Sequence, residues 1–538
     1  MLIPDFHHRL TRCFFGVFAA LLSVASCVTV SAADLQLHPL FTDHGVLQQN
    51  QRVPVWGTAT PGQTVAVEFA EQRVSAVCDD AGKWMAFLDP VTANATGQDL
   101  RVHSGDESVT VTDLLVGEVW VCSGQSNMAA AVRNSTDYPA IQAEIAAGDL
   151  FGTLRLFRVP IQGADERLDR VNAQWNKVDA ATASAFSATA FYFGRALNRD
   201  RDVPVGLIQS ANGGTNAYSW INSATYEDDP VAEVTRKHWD AIARNGDKSL
   251  QRFETQKKVW AAKQRAAKLA KKPVQGRAPR EPLHRDHVKR PAGHYNAMIA
   301  PLQPYAIAGA IWYQGEANSR PPFCNQYKDL MLALVEDWRA DWNAASGLPS
   351  NQTRDDFPFY LVQLPNYANG HPQGWPIIRE QMLRFWQEGQ NTGMVTTIDV
   401  GEPKDIHPRN KKPVGERLAL FARGNNYGED IVYSGPIYNN VETDGNRAIV
   451  SFDHCGGGLV SLDGKPLRHF QVAGEDLLFV DADAAIENNS VVVSSPQVDT
   501  VKHVRYAWTN NPETPNLVNQ EGLVASPFRS DDGHVAIE

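Results

Sequence analysis

The run Gly117-Glu-Val-Trp-Val-Cys-Ser-Gly-Gln-Ser-Asn-Met128 points to an α/β fold with a serine at the end of a central strand. Val116, Val119, Trp120, Val121 and Cys122 make a nearly unbroken apolar stretch, the pattern of a strand covered on both faces inside an α/β domain. Gly124 then permits a sharp turn, and a helical segment follows from Met128. Ligands of open α/β sheets gather beyond the carboxyl ends of the strands, so Ser126 stands where such a fold places its chemistry. A serine after a strand more often caps a helix than attacks a carbonyl. Its partners therefore carry the argument.

One partner is far away in sequence. From Thr396 to Ala419 an apolar stretch passes through a polar loop holding Asp405 and His407 into an amphipathic helix. A serine hydroxyl becomes a nucleophile when a base takes its proton, and histidine serves if an acid fixes its tautomer. Two further strand ends supply oxyanion stabilisers. Ile307–Tyr313 runs into Gln314-Gly-Glu-Ala-Asn318, and Val205–Ser210 runs into Ala211-Asn-Gly-Gly-Thr215. Gln314 offers an amide there, and Gly213 and Gly214 offer backbone N–H groups that approach a substrate oxygen closely. Singly, these residues would equally make a turn and a helix cap.

Taken in order, the four segments resemble the sialate O-acetylesterase type of SGNH hydrolase. GQSNM matches its nucleophile turn, NGGT its WGGT, WYQGEAN its WYQGESN, and DIHPRNK its histidine segment. The likeness spans nearly the whole chain after the leader, including Leu37–Gln48 near the start and Val504–Trp508 and Ala525–Ser530 near the end. It implies Ser126 as nucleophile, His407 as base and Asp405 as the orienting acid. Ser126, Gly213, Gly214 and Gln314 would stabilise the oxyanion, and Gln125, Asn127, Glu316 and Arg379 would bind substrate. Two positions depart from the pattern. Lys404 stands where the wider superfamily writes its acid, which keeps Asp399 and Glu402 as substitutes, and Asn212 replaces a tryptophan.

The resemblance also implies a flavodoxin-like three-layer SGNH core, with β-sandwich modules on either side. Residues 34–115 alternate short apolar strands with turns such as Ala59-Thr-Pro-Gly62, reading as an N-terminal β module. Residues 116–430 hold the α/β core, with strands expected near 117–122, 205–210, 307–313, 358–364 and 394–400. A helical, Lys- and Ala-rich insertion interrupts it at about 225–292. Its basicity would suit an acidic glycan, although a solvated helix face is the commoner cause. Residues 431–538 return to short strands near 448–452, 477–480, 491–494 and 504–508.

Residues 1–33 read as an export leader. Arg9 and Arg12 precede the apolar run from Cys13 to Ser26, and small residues around Ala32 suit cleavage. The protein is then secreted or periplasmic. An alternative reading takes Val24-Ala-Ser-Cys27 as a lipoprotein box, with Cys27 as lipid anchor. No later stretch has the ~20 apolar residues of a membrane span.

With 538 residues and 43% hydrophobic content, the chain can bury more than one core. A net charge of −11 argues against nucleic acid as the main partner. Cys78, Cys122, Cys324 and Cys455 lie scattered without metal-ligand spacing, so neither a metal site, a cofactor nor a disulfide framework is expected. His284, His287 and His294 read as structural. The expected function is removal of O-acetyl groups from sialic acid or a similar sugar. A polysaccharide acetylesterase, as for xylan, and a non-catalytic glycan-binding protein are the alternatives.

Overall fold

A computed structural model describes residues 34–148, 151–348 and 356–531. The expected leader and the anchor at Cys27 lie outside the described residues.

The centre of the molecule is the strand Glu107–Gly124, whose last eleven residues are all buried. It pairs in parallel with Val205–Ala211 on one side and Gly309–Tyr313 on the other. Beyond these lie Leu154–Arg158 on one flank, and Phe359–Val362 and then Thr392–Val395 on the other, all parallel. The short antiparallel strand Trp175–Lys177 closes one edge, so the sheet is mixed.

Helices cover both faces, as the apolar run requires. On one face Trp120 packs edge-on to Phe193 of the helix Ala188–Arg201, and Tyr360 meets Phe421 of the helix Lys412–Phe421. On the other, Trp312 packs against Trp338 of the helix Tyr327–Ser346, and Phe359 meets Phe385 of the helix Gly374–Glu388. After Glu107–Gly124 the chain builds the strands between 154 and 211 on one side and then crosses to build those between 309 and 395 on the other. The crevice at the carboxyl end of Glu107–Gly124 is thus the point where α/β sheets bind ligands.

Three expected strands differ from the observed ones. The strand expected at 394–400 stops at Val395. Ile398 beyond it is buried in the C-terminal core, and the Thr397 hydroxyl donates to the Gln363 carbonyl, so packing between layers accounts for the apolar run. At 477–480 only Val480–Asp481 pairs, with Leu477 in the left-handed region and Leu478 exposed. The strand expected at 504–508 is His503–Tyr506, ended by the left-handed Ala507. Leu154–Arg158 and Trp175–Lys177 have no counterpart in the sequence reading.

The residues before and after the core form β-structure of two kinds. Glu107–Gly124 runs without a break from the N-terminal sheet, where it pairs with Asn94–Ser104, into the central sheet. The position 115/116 therefore lies inside one strand, and the N-terminal strands share a continuous apolar core with the α/β sheet. The C-terminal strands enclose a core of their own around Val450, Val472, Val491, Val504 and Tyr506. Within the insertion, the helix Glu233–Leu269 has 37 residues, of which Thr235, Trp239 and Gly246 are buried. Among the described residues Cys78, Cys122, Cys324 and Cys455 are free thiols. No helix among the described residues is long and apolar enough to cross a membrane.

Candidate active site

The ends of the strands Glu107–Gly124, Val205–Ala211 and Gly309–Tyr313 converge on Ser126. Gly124 takes a φ of +132°, and a Cβ there would lie 2.3 Å from the Tyr313 carbonyl oxygen, so the turn needs glycine. Ser126 opens the short helix Ser126–Ala129. Helix geometry leaves the first N–H groups without intrahelical acceptors, so the Ser126 N–H is available to an anion.

The His407 loop follows the strand Thr392–Val395 and ends at the helix Lys412–Phe421, which packs on Ala188–Arg201. His407 Nε2 lies 2.8 Å from Ser126 Oγ, within hydrogen-bond reach of a base and its nucleophile. Burial lowers the His407 pKa from its ordinary value, Lys411 adds to this, and Asp405 opposes it. Burial thus favours the neutral imidazole, the form a base requires.

Asp405 Oδ1 accepts the His407 backbone N–H at 2.9 Å and sits 3.7 Å from His407 Nδ1. The second distance is longer than a hydrogen bond, and catalytic pairs in empty sites are often loose in this way. Both substitute acids are engaged elsewhere. Asp399 holds Arg417 through two bonds of 2.7 and 2.6 Å, and Glu402 accepts the Arg409 backbone N–H at 2.8 Å.

Facing Ser126 from the neighbouring strand is the Gly213 turn. A Cβ on Gly213 would lie 3.4 Å from Ser126 Cβ, so this backbone runs in contact distance of Ser126. Its N–H makes no hydrogen bond among the described residues. Gly214 follows with a φ of +67°, and its carbonyl accepts from Lys289 Nζ at 3.3 Å.

Gln314 turns away from this site. It is fully buried, its amide nitrogen donates to Asn318 Oδ1 at 2.8 Å and the Thr215 carbonyl at 3.0 Å, and its oxygen accepts from the Tyr327 hydroxyl. Both amide hydrogens are used, leaving none for an oxyanion. Gln314 ties strand ends together instead.

The four expected substrate-binding residues also face inward. Gln125 is buried, and its oxygen accepts from Ala317 N–H at 3.3 Å. Arg379, fully buried, donates to the carbonyls of Leu364, Pro365, Thr509 and Asn510, joining the core to the C-terminal strands. Losing it would strand buried carbonyls, each costly to leave unpaired. Arg379→Leu is expected to destabilise the fold by at least ~3 kcal/mol, with KM unchanged for the protein that remains folded; a raised KM without loss of thermal stability would restore a substrate role.

Asn127 and Glu316 belong to a buried brace together with Lys411, a residue the sequence reading missed. Lys411 Nζ donates to Asn127 Oδ1 at 2.5 Å and lies 5.1 Å from the centre of the Tyr313 ring. The Asn127 amide nitrogen donates to Glu316 Oε1 and, at 3.0 Å, to the carbonyl of Ile406. The residue after Ser126 thus grips the residue before His407. Burial pulls the Lys411 ammonium down to about 7, opposed by Glu316, Glu402 and Asp405, and burial raises the Glu316 carboxyl. The signal in sequence was a lysine four residues past the histidine, unremarkable until the helix start buries it. Lys411→Met should lower kcat on the order of 10²-fold by loosening the Ser126–His407 geometry, with KM nearly unchanged; an unchanged kcat with only a lower Tm would make the brace purely structural.

The crevice outside Ser126 is an open cleft of about 520 Å³, bordered by Arg133, Asn134, Asp405, His407 and Arg409. Arg133 and Arg409 are exposed at its rim.

No protein-family model matches the chain. The mouse sialate O-acetylesterase is 28% identical over 533 residues, covering 92% of this chain and 94% of the relative. The human sialate O-acetylesterase is also 28% identical, over 515 residues and 88% of each chain. A crystal structure of a carbohydrate acetylesterase from Xanthomonas citri superposes with a TM-score of 0.76 at 31% identity, covering 93% of this chain and 100% of that one. With this likeness over nearly its whole length, the chain belongs with the carbohydrate acetylesterases and is similar to the sialate O-acetylesterases.

Proposed function

We propose that the protein is an exported serine esterase that removes O-acetyl groups from sialic acid or a similar acetylated sugar through an acetyl-Ser126 intermediate. The observation that carries this reading is the 2.8 Å approach of His407 Nε2 to Ser126 Oγ. His407 takes the hydroxyl proton as Oγ bonds to the acetyl carbonyl carbon, and the negative charge on the carbonyl oxygen lies against the Ser126 and Gly213 N–H groups. Gly214 shapes that turn. Collapse breaks the ester C–O bond, and the sugar oxygen takes the proton back from His407. A water activated by the same imidazole then attacks the acetyl carbonyl, releasing acetate and restoring Ser126.

Asp405 is the acid of choice, because its carboxylate lies on the Nδ1 side of His407 while Asp399 and Glu402 hold other donors. The site at three parallel strand ends is in keeping with an SGNH-type core within residues 116–430, flanked by β modules at 34–115 and 431–538. The leader at 1–33 supports export, either free or tethered through Cys27.

The reading has a pH signature. The base must be unprotonated, and burial depresses the His407 pKa below 6.5, so activity survives to lower pH than an ordinary histidine would allow. The profile of kcat/KM for p-nitrophenyl acetate should be flat above neutrality and fall about tenfold per unit below a midpoint under 6.5. A midpoint above that value would contradict a half-buried base. Acetate release from 9-O-acetylated sialic acid, compared with acetylated xylan and acetylated pectin, tests the sugar.

A further inference from the structure

Charge in this chain is strongly segregated. Residues 252–290 hold thirteen lysines and arginines against three acidic residues, a net +10, so the rest of the chain carries −21. The segment begins in the outer half of the helix Glu233–Leu269 and returns along residues 270–290. The last buried residue of the helix is Gly246, packed against His284. Some 23 residues then project, a distance of about 35 Å at 1.5 Å per residue.

Little among the described residues neutralises the outer arm. Lys257, Lys258, Lys263, Arg265, Lys268, Lys271 and Lys272 are all exposed. Among the described residues, Lys257 alone of these meets a carboxylate, Glu254 at 3.4 Å, an exposed pair worth little. At 100° per residue, Lys257, Lys258, Arg265 and Lys268 fall within an arc of about 100°, one basic face. A helix that is polar all round and unpacked over such a length gains nothing from burial, and aligned like charges repel each other.

The basic run ends at the active site. At its far end, Lys289 Nζ donates to the carbonyl of Gly214 in the turn beside Ser126. The cleft outside Ser126 is itself bordered by the exposed Arg133 and Arg409. Cations thus continue from the tip of the arm to the rim of the crevice.

We propose that the arm docks a carboxylated polysaccharide, a uronate-type polymer, and delivers its acetyl esters to Ser126. The inference rests on the esterase reading and narrows its substrate class. A polymer delivered to a crevice that attacks an acetyl carbonyl must carry acyl esters, which acetylated acidic polysaccharides do, whereas the esters of a nucleic-acid backbone are phosphodiesters. An anionic membrane would call for an apolar face to insert, whereas the projecting helix presents Lys, Arg, Gln and Ala on all sides, with Val259 and Leu269 its exposed large apolar side chains. The remaining surface is acidic and would repel a polyanion, so attraction must be local to the arm.

The test uses the full chain with soluble polygalacturonate, and neutral dextran, phosphatidylglycerol vesicles and duplex DNA as comparisons. Polygalacturonate should bind, and binding should weaken steeply with added salt. The variant carrying Lys257→Gln, Lys258→Gln, Arg265→Gln and Lys268→Gln should bind on the order of tenfold more weakly or worse. Its KM for acetylated polygalacturonate should rise in parallel, while turnover of p-nitrophenyl acetate stays at the parental level. Equal affinity of variant and parent, binding to dextran as strong as to polygalacturonate, or binding to vesicles or DNA without polygalacturonate would each overturn the proposal. Failure of the parent to cleave p-nitrophenyl acetate would instead strike the esterase reading, while the polygalacturonate affinity of parent and variant would still decide whether the arm binds the polymer.

Discussion

Ser126→Ala is expected to lower kcat for acetyl ester hydrolysis by about 10⁴ to 10⁶-fold, because the variant has no atom to form the acyl intermediate. The fold should persist. Ser126 is half-buried at the start of a short helix whose preceding residue makes no side-chain cap, so removing Oγ leaves neither a cavity nor an orphaned partner in the core. The bond lost is the one to His407, whose side chain is itself 48% exposed. Turnover should therefore collapse while the thermal midpoint stays within a degree or two of the parent. Measuring acetate release and Tm on the same preparation checks both, and a variant keeping a tenth of the activity would remove Ser126 from the mechanism.

Asp405→Asn should cost about 10³ to 10⁴-fold in kcat with little change in KM. An amide at this position can still accept the His407 backbone N–H, so the loop holds its shape. What it loses is the negative charge that raises the imidazole pKa and stabilises the imidazolium as the proton arrives. The comparison is Asp399→Asn. Asp399 is bound to Arg417 by two charge-assisted hydrogen bonds on the partly buried side of the loop. Its amide should cost about 2 kcal/mol of stability and leave kcat close to the parent. A collapse of kcat at 399 with near-normal turnover at 405 would exchange the two assignments.

The strand and the turn at Ser126 were legible because their signal is local. An apolar run of five residues followed by Gly and Ser is a burial statement that holds whatever surrounds it, and all of Val116, Val119, Trp120, Val121 and Cys122 are indeed buried. The pairing of Ser126 with His407, 281 residues apart, is suggested by an acid and an imidazole sharing one loop, and the family resemblance assigns their roles. Leu154–Arg158 escaped notice although four of its five residues are buried. It is short and carries Arg155 and Arg158, so composition hides it, and its pairing with Val205–Ala211 makes it a strand.

The boundary at 115/116 shows the same limit. Turn-rich sequence suggests separate modules, yet a strand of 18 residues carries the chain from one sheet into the next. Hydrogen bonding to two different sets of neighbours, not any change in its own composition, divides its roles.

Composition and spacing alone place the chemistry: a serine at a strand end, a histidine and an acid in one loop, and glycines at a neighbouring strand end. Tertiary structure decided which polar side chains face the crevice. Gln314, Glu316, Asn127 and Arg379 have the composition of a binding site, but each is buried or turned inward against carbonyls, amides or Lys411. The reason is that a strand's end leaves backbone groups unpaired inside the fold, and buried polar groups must find partners. Where several such ends converge, side chains satisfy those groups first, and that contest is settled by neighbours hundreds of residues away.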